Sequence, residues 1–151
     1  MRFGIRLGID VGQARIGVAR SDAAGSIVVP VSTIRRDGRD LARIAGVARK
    51  HEAIEIIVGL PLGLSGDEGE AARRARHYAG LIAKRTDIPV RLVDERLSTV
   101  SAHAALHDAG LDSRKHRSVV DQVAATVILE QALAIERSTG DAPGEPWKEQ
   151  T

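Results

Sequence analysis

Two short aliphatic runs, "AIEIIVGLP" (53–61) and "PVRLVDE" (89–95), each follow a stretch of helical periodicity, and this alternation constrains the fold more than any other feature. "RDLARIAGVARKH" (39–51) places Leu41, Ile44, Ala45 and Ala48 on one face with charges opposite, the mark of an amphipathic helix. Glu70 to Arg85 reads as a second helix. Strands joined through helices pair in parallel by crossovers. Upstream, Ile5, Leu7 and Ile9 alternate with Arg6, Gly8 and Asp10, and Gly12 turns the chain into Ile16–Ala19, a hairpin pattern. "SIVVPVSTI" (26–34) is a third strand, and Pro30 assigns it to a sheet edge because proline cannot donate to a ladder. Further helices are expected over Thr99–Ala109 and from about Val119 to Glu136. The expectation is an α/β fold with a five-stranded mixed sheet, a three-stranded meander followed by βαβ units, flanked by helices. Residues 1–138 form one domain, and the Gly/Pro/acid-rich 139–151, with the lone Trp147, is read as a disordered tail.

Composition narrows the chemistry. The 151 residues contain no cysteine, so disulfides, thiolate metal sites and thiol nucleophiles are excluded and a reducing cytoplasm is the expected location. No apolar run approaches the roughly 18 residues of a membrane span. The net charge is only +2, so placement matters more than balance. Arginine outnumbers lysine, and a planar guanidinium suits phosphate. Arg35, Arg36 and Arg39 cluster, as do Arg73, Arg74 and Arg76, and "RKHR" spans Arg114–Arg117. Each cluster also reads as a solvated surface.

Carboxylates recur where apolar runs end. Asp10 closes the first strand, Asp94 and Glu95 close "PVRLVDE", and Asp121 lies near the start of the apolar "SVVDQVAATVILEQALAI". Asp10 is equally a turn-former at a strand end, and Asp121 equally a partner of a helix dipole. Parallel strand ends open on one sheet edge, where ligands of such sheets gather. Acids there, without cysteine or clustered histidine, point to Mg²⁺ or Mn²⁺, and a pair of ions suits phosphodiester hydrolysis. Asp94, one residue from Glu95, is expected on the opposite face.

"GIDVGQARIGVARSD", "IIVGLPLGLSGDEG", "DERLST" and "DQVAATVIL" follow in this order across most of residues 5–135. Together they resemble the YqgF family, RNase H-like proteins described as Holliday junction resolvases and as nucleases maturing pre-16S ribosomal RNA. The resemblance implies an RNase H-like sheet and a metal-dependent acidic site at Asp10, Glu95 and Asp121. In many relatives of this fold the fourth strand supplies an acid; here that strand ends "VGLP", and Glu95 takes its place. The family's Thr-Lys after "DVG" is Gln13-Ala14, while Arg15 and Gly17 remain.

The reading is therefore a two-metal nuclease acting on structured RNA or branched DNA, a monomer or homodimer with no membrane partner. Asp10, Glu95 and Asp121 are its catalytic and metal residues, and Arg15, Arg96, Arg114, Lys115, His116 and Arg117 are its nucleic-acid contacts. A non-catalytic nucleic-acid-binding module is the alternative. Sugar-kinase and actin-like ATPases share an Ile-Asp-x-Gly hairpin but need a second domain. "GLPLGLSGDEG" reads as a helix cap, Ser65 with Glu68, ahead of a phosphate loop. His103 and His107 have zinc-compatible spacing without a metalloprotease's glutamate.

Overall fold

The computed structural model describes residues 1–96 and 113–149, with the backbone alone over 113–118. Strands β1 (Arg6–Val11), β2 (Arg15–Ser21) and β3 (Val28–Arg35) form the antiparallel meander. Helix α1 (Asp40–Lys50) leads to β4 (Glu55–Leu60), which pairs parallel with β1. Helix α2 (Glu70–Thr86) leads to β5 (Val90–Asp94), parallel to β4. The long helix α3 spans Ser113–Thr139, and the sheet runs β3-β2-β1-β4-β5-β6. Pro30 lies in β3, an edge strand as expected.

Five strands become six. Glu145–Pro146, in the segment expected to be structureless, forms β6 antiparallel to β5. The Trp147 amide donates to the Val90 carbonyl at 2.8 Å. Nothing in two residues between glycines and prolines carries a strand period, so the pairing arises from the free edge of β5. The expected 99–109 helix, with His103 and His107, lies outside the described residues.

The two sheet faces are built differently. Leu7, Ile9, Ile16, Val18, Ile56, Val58 and Leu92 face α1 and α2 in an aliphatic core. On the other face Ile57 and Val93 meet Ile128, Leu129, Ala132 and Leu133 of α3. There the sheet also carries glycines at Gly8, Gly17 and Gly59. A Cβ on Gly17 would fall 1.9 Å from the Asp121 carbonyl oxygen, and one on Gly8 would fall 2.8 Å from that of Ala125. Helix α3 thus rests directly on the sheet from Asp121 to Ala125, closer than any side chain would allow.

The other end of α3 is pinned by charge. Glu136 accepts from Arg6 Nη2 at 2.7 Å, and Arg2 bridges Glu136 and Glu55. Arg6, Glu55 and Glu136 are all buried. Such a cluster holds only because each charge has partners, since an unpaired one would be left without solvent. Among the described residues, no helix is long and apolar enough to cross a membrane.

Candidate active site

Alternation along the strands decides which acids meet. In β1, Arg6, Gly8 and Asp10 share the α3 face, while Leu7 and Ile9 take the other. In β5, Leu92 belongs to the α1/α2 core and Val93 to the α3 side. Asp94 therefore follows Leu92, and Glu95, just past the strand end, follows Val93. The Glu95 amide donates to the Leu60 carbonyl at 3.1 Å, which extends the β4–β5 register to this residue. Asp94 turns away as expected and is held by Arg96, whose Nε donates to Asp94 Oδ2 at 2.7 Å.

Glu95 enters the sheet through Gly59. A Cβ on Gly59 would stand 2.1 Å from Glu95 Oε2 and 2.6 Å from Ile128 Cδ1, so the carboxylate occupies the volume that any larger residue would take. The room that glycine leaves at this position is filled by Glu95. Glu95 Oε2 is buried and accepts no hydrogen bond from the described residues. Burial, the Asp10 charge and then the Asp94 charge push its carboxyl up to about 8. Asp10 is raised to about 6, by burial first and by the Asp121 charge second. Asp10 thus couples to an acid on each side, from β5 and from α3.

Asp121 is the ninth residue of α3, because the helix begins at Ser113 and not near Val119. The helix dipole acts within the first turn, so it gives no account of this carboxylate. Its partner is Arg15, which donates from Nε to Asp121 Oδ2 at 2.7 Å. Arg15, expected as a nucleic-acid contact, is spent on Asp121; an arginine one turn past an acidic strand end is the signal for the pair. Arg36 braces the same turn. Its amide donates to the Ala14 carbonyl and its Nη1 to the Gly12 carbonyl, both at 3.0 Å. Its guanidinium lies over the Tyr78 ring at 4.8 Å, a cation–π contact, and Tyr78 in turn donates to Asp40.

Arg114, Lys115, His116 and Arg117 fall in the first turns of α3, and their side chains lie outside the described residues. Ser65 caps no helix. Its hydroxyl bonds Asp67, Gly69 is the N-cap of α2, and Glu68 pairs with Arg76. The loop's own bridge between Leu62 and Glu68 delays the helix start beyond the acids meant to cap it.

Among the described residues, no three of His, Cys, Asp and Glu gather as a ready metal cage. The donor set nevertheless fits a hard divalent cation. It offers carboxylate oxygens, one of them buried without a partner among the described residues, in a place where burial and mutual repulsion make two acids resist ionisation.

A profile of the RuvX family, described as Holliday junction resolvase, matches residues 4–135. The chain belongs to the RuvX family. This is the family, also called YqgF, that the motifs resembled, and it places the chain among enzymes that hydrolyse phosphodiester bonds. A RuvX-type relative from Nocardioides sp., named "Putative pre-16S rRNA nuclease", is 54% identical over 96% of this chain and 97% of its own length. One of the same name from Thermobifida fusca is 53% identical over 96% of each chain. The RuvX fold is also that of Thermus thermophilus RuvC, solved in complex with a Holliday junction substrate. That structure has TM-score 0.58 at 15% identity and covers 95% of this chain and 99% of RuvC.

Proposed function

We propose that this RuvX-family chain is a metal-dependent nuclease that hydrolyses phosphodiesters in structured nucleic acid, with the pre-16S ribosomal RNA of its relatives' name as first substrate and branched DNA as second. The observation that carries the reading is the buried Glu95 Oε2 beside Asp10, an oxygen with no partner among the described residues. A carboxylate is costly to keep there unless a cation completes it. Asp10, Glu95 and Asp121 would hold Mg²⁺ or Mn²⁺. When bound, a pair of such ions supplies the charge that activates a water and stabilises the departing oxygen.

The chain's own residues do the rest. Gly17 and Gly59 let α3 and Glu95 approach, so carboxylates from three elements share one end of the sheet. Arg15 supplies positive charge to Asp121 and fixes its rotamer. Arg96, oriented by Asp94 at the end of β5, stands at the same strand ends as a phosphate contact. Arg114, Lys115, His116 and Arg117 add phosphate contacts ahead of Asp121.

The test is cleavage and equilibrium binding of one substrate, a ribosomal RNA precursor or a four-way junction, with Mn²⁺ for turnover and Ca²⁺ for binding. Asp10→Asn should abolish cleavage and keep binding, because affinity comes from contacts to phosphates. Replacing Arg114, Lys115 and Arg117 with alanine should weaken binding across sequences, with a salt slope lower by about 0.9 per lost contact on duplex DNA. Cleavage by Asp10→Asn at the wild-type rate would overturn the mechanism. Binding without cleavage by the unaltered chain would make it a binding module.

A further inference from the structure

We propose that the groove between α2 and the C-terminal segment is a second nucleic-acid site, holding an unpaired strand with a base stacked on Trp147 and phosphates on Arg73 and Lys148. The inference rests on the reading of the chain as a nucleic-acid enzyme and adds a site away from its acids. Two features that the active site leaves unused meet here, the lone tryptophan and the arginine cluster of α2.

The groove has a volume of about 770 Å³, and its lining includes Arg73, Arg76, His77, Lys84, Trp147 and Lys148. The indole is fixed in place. β6 and the hydrogen bond that the Trp147 N–H donates to the Val90 carbonyl anchor its backbone, and its ring lies on Gly80, where a Cβ would fall 2.7 Å from Cζ2. Only glycine lets the ring reach the helix backbone. The ring is half-buried and the remainder lines the groove. A rigid aromatic surface of this kind is a stacking platform that any base can use.

The charges sort into spent and available. Arg76 is taken by Glu68 and Glu145 at 2.6 and 2.7 Å. Lys84 meets Glu149 at 3.1 Å, with both side chains more than 60% exposed, a pair that solvent weakens. Arg73 and Lys148 are exposed and form no ion pair within 4 Å among the described residues, Arg73 acting on Glu68 only at longer range. Two available cations flanking an indole suit a phosphodiester backbone with its bases, and a purely acidic peptide would leave the platform unused.

Position supports the same occupant. Glu68, at one end of the groove, belongs to the loop that follows β4 and is bridged to Leu62, just past the strand end beside which Glu95 lies. From Arg73 to Lys84 the helix advances about 16 Å, room for two or three nucleotides. A strand leaving the acids can continue along α2.

Trp147 is the chain's single tryptophan, so intrinsic fluorescence reports on this groove directly. The full chain, with Ca²⁺ and no turnover metal, is titrated with a ten-residue oligouridylate, a ten-residue oligothymidylate and polyglutamate over a salt series. Saturable quenching by either oligonucleotide is expected, with little from polyglutamate. Arg73→Glu combined with Lys148→Glu should weaken it about tenfold and lower the salt slope by about 0.7 for each lost contact. Both residues are exposed, and circular dichroism of the variant checks its fold. Asp10→Asn should quench as the unaltered chain does. A silent tryptophan, quenching indifferent to the double charge reversal, or equal quenching by polyglutamate would overturn the site. Cleavage with a silent tryptophan would remove the groove alone, and quenching without cleavage would remove the catalytic reading alone.

Discussion

At the scale of single residues, two glycines seat the acids: a Cβ on Gly17 would meet the Asp121 carbonyl oxygen, and one on Gly59 the Glu95 carboxylate. An acid closing an apolar strand stands out, so Asp10 and Glu95 could be named from the chain. Gly17 and Gly59 are ambiguous, because a strand glycine can mark a bulge, a bend or a close approach. The structure makes both close approaches, and two predictions follow from the distances. Gly17→Ala puts a methyl 1.9 Å from a backbone oxygen that only a shift of α3 can relieve. Overpacking of this kind costs about 1–3 kcal/mol, to be read from urea denaturation, and cleavage should fall with it as Asp121 moves. Gly59→Ala should act differently. Its methyl meets the movable Glu95 carboxylate and the flexible end of Ile128, so stability should change by less than for Gly17→Ala while cleavage falls at least as far. Equal stability losses in the two variants would mean that Glu95 cannot move aside.

At the scale of elements, legibility followed periodicity. Helices α1 and α2 and strands β1 to β5 carry patterns long enough to read. The start of α3 does not, since Ser113–Ser118 is polar, with no apolar face to register, yet the helix includes it. Strand β6 is invisible for the opposite reason, being two residues recruited by a partner's open edge. The Ser65–Glu68 cap failed because a competing loop bridge claims Glu68. Arg36 was legible only as one of three clustered arginines, whereas in the structure it ties the β1–β2 turn to Tyr78. Arg36→Met keeps most of the stem and removes the bond to Gly12. Hydrogen bonds from charged groups contribute about 1.5–3 kcal/mol, so Arg36→Met should destabilise the fold by about that amount. It should also cut cleavage more than it weakens substrate binding, because the turn it loosens carries Arg15 to Asp121. A parallel loss of binding and cleavage would instead make Arg36 a surface contact for the substrate.

For the whole molecule, the acid pair sets the pH dependence of stability. Burial and neighbouring acids raise Glu95 from an ordinary 4.5 to about 8, and Asp10 from 3.8 to about 6. Both values are raised, so the folded chain holds protons that the unfolded chain has released. The stability they contribute is fully present below pH 4 and is lost as pH climbs through 6 and 8. The lowered carboxyls, Asp40, Asp94 and Glu136 among them, contribute with opposite sign and only toward acid. His51 is held below its ordinary value by burial and by nearby Arg20 and Lys50, so it too acts only at the acid side of about 6.5. The interval from pH 6.5 to 9 therefore belongs chiefly to Glu95. Across it, protein in EDTA should lose about 2 kcal/mol, a fall in Tm of roughly 4–8 °C for a chain of this size. Glu95→Gln should abolish the fall and leave the chain more stable than the unaltered one at pH 9. Mg²⁺ or Mn²⁺ should reverse the sign, since binding to the ionised site stabilises the fold more as pH rises. Calorimetry at several pH values, with EDTA and then with each ion, measures all three. A Tm flat with pH in EDTA would show that Glu95 ionises as an ordinary surface carboxylate, and the need for a cation at the end of this sheet would go with it.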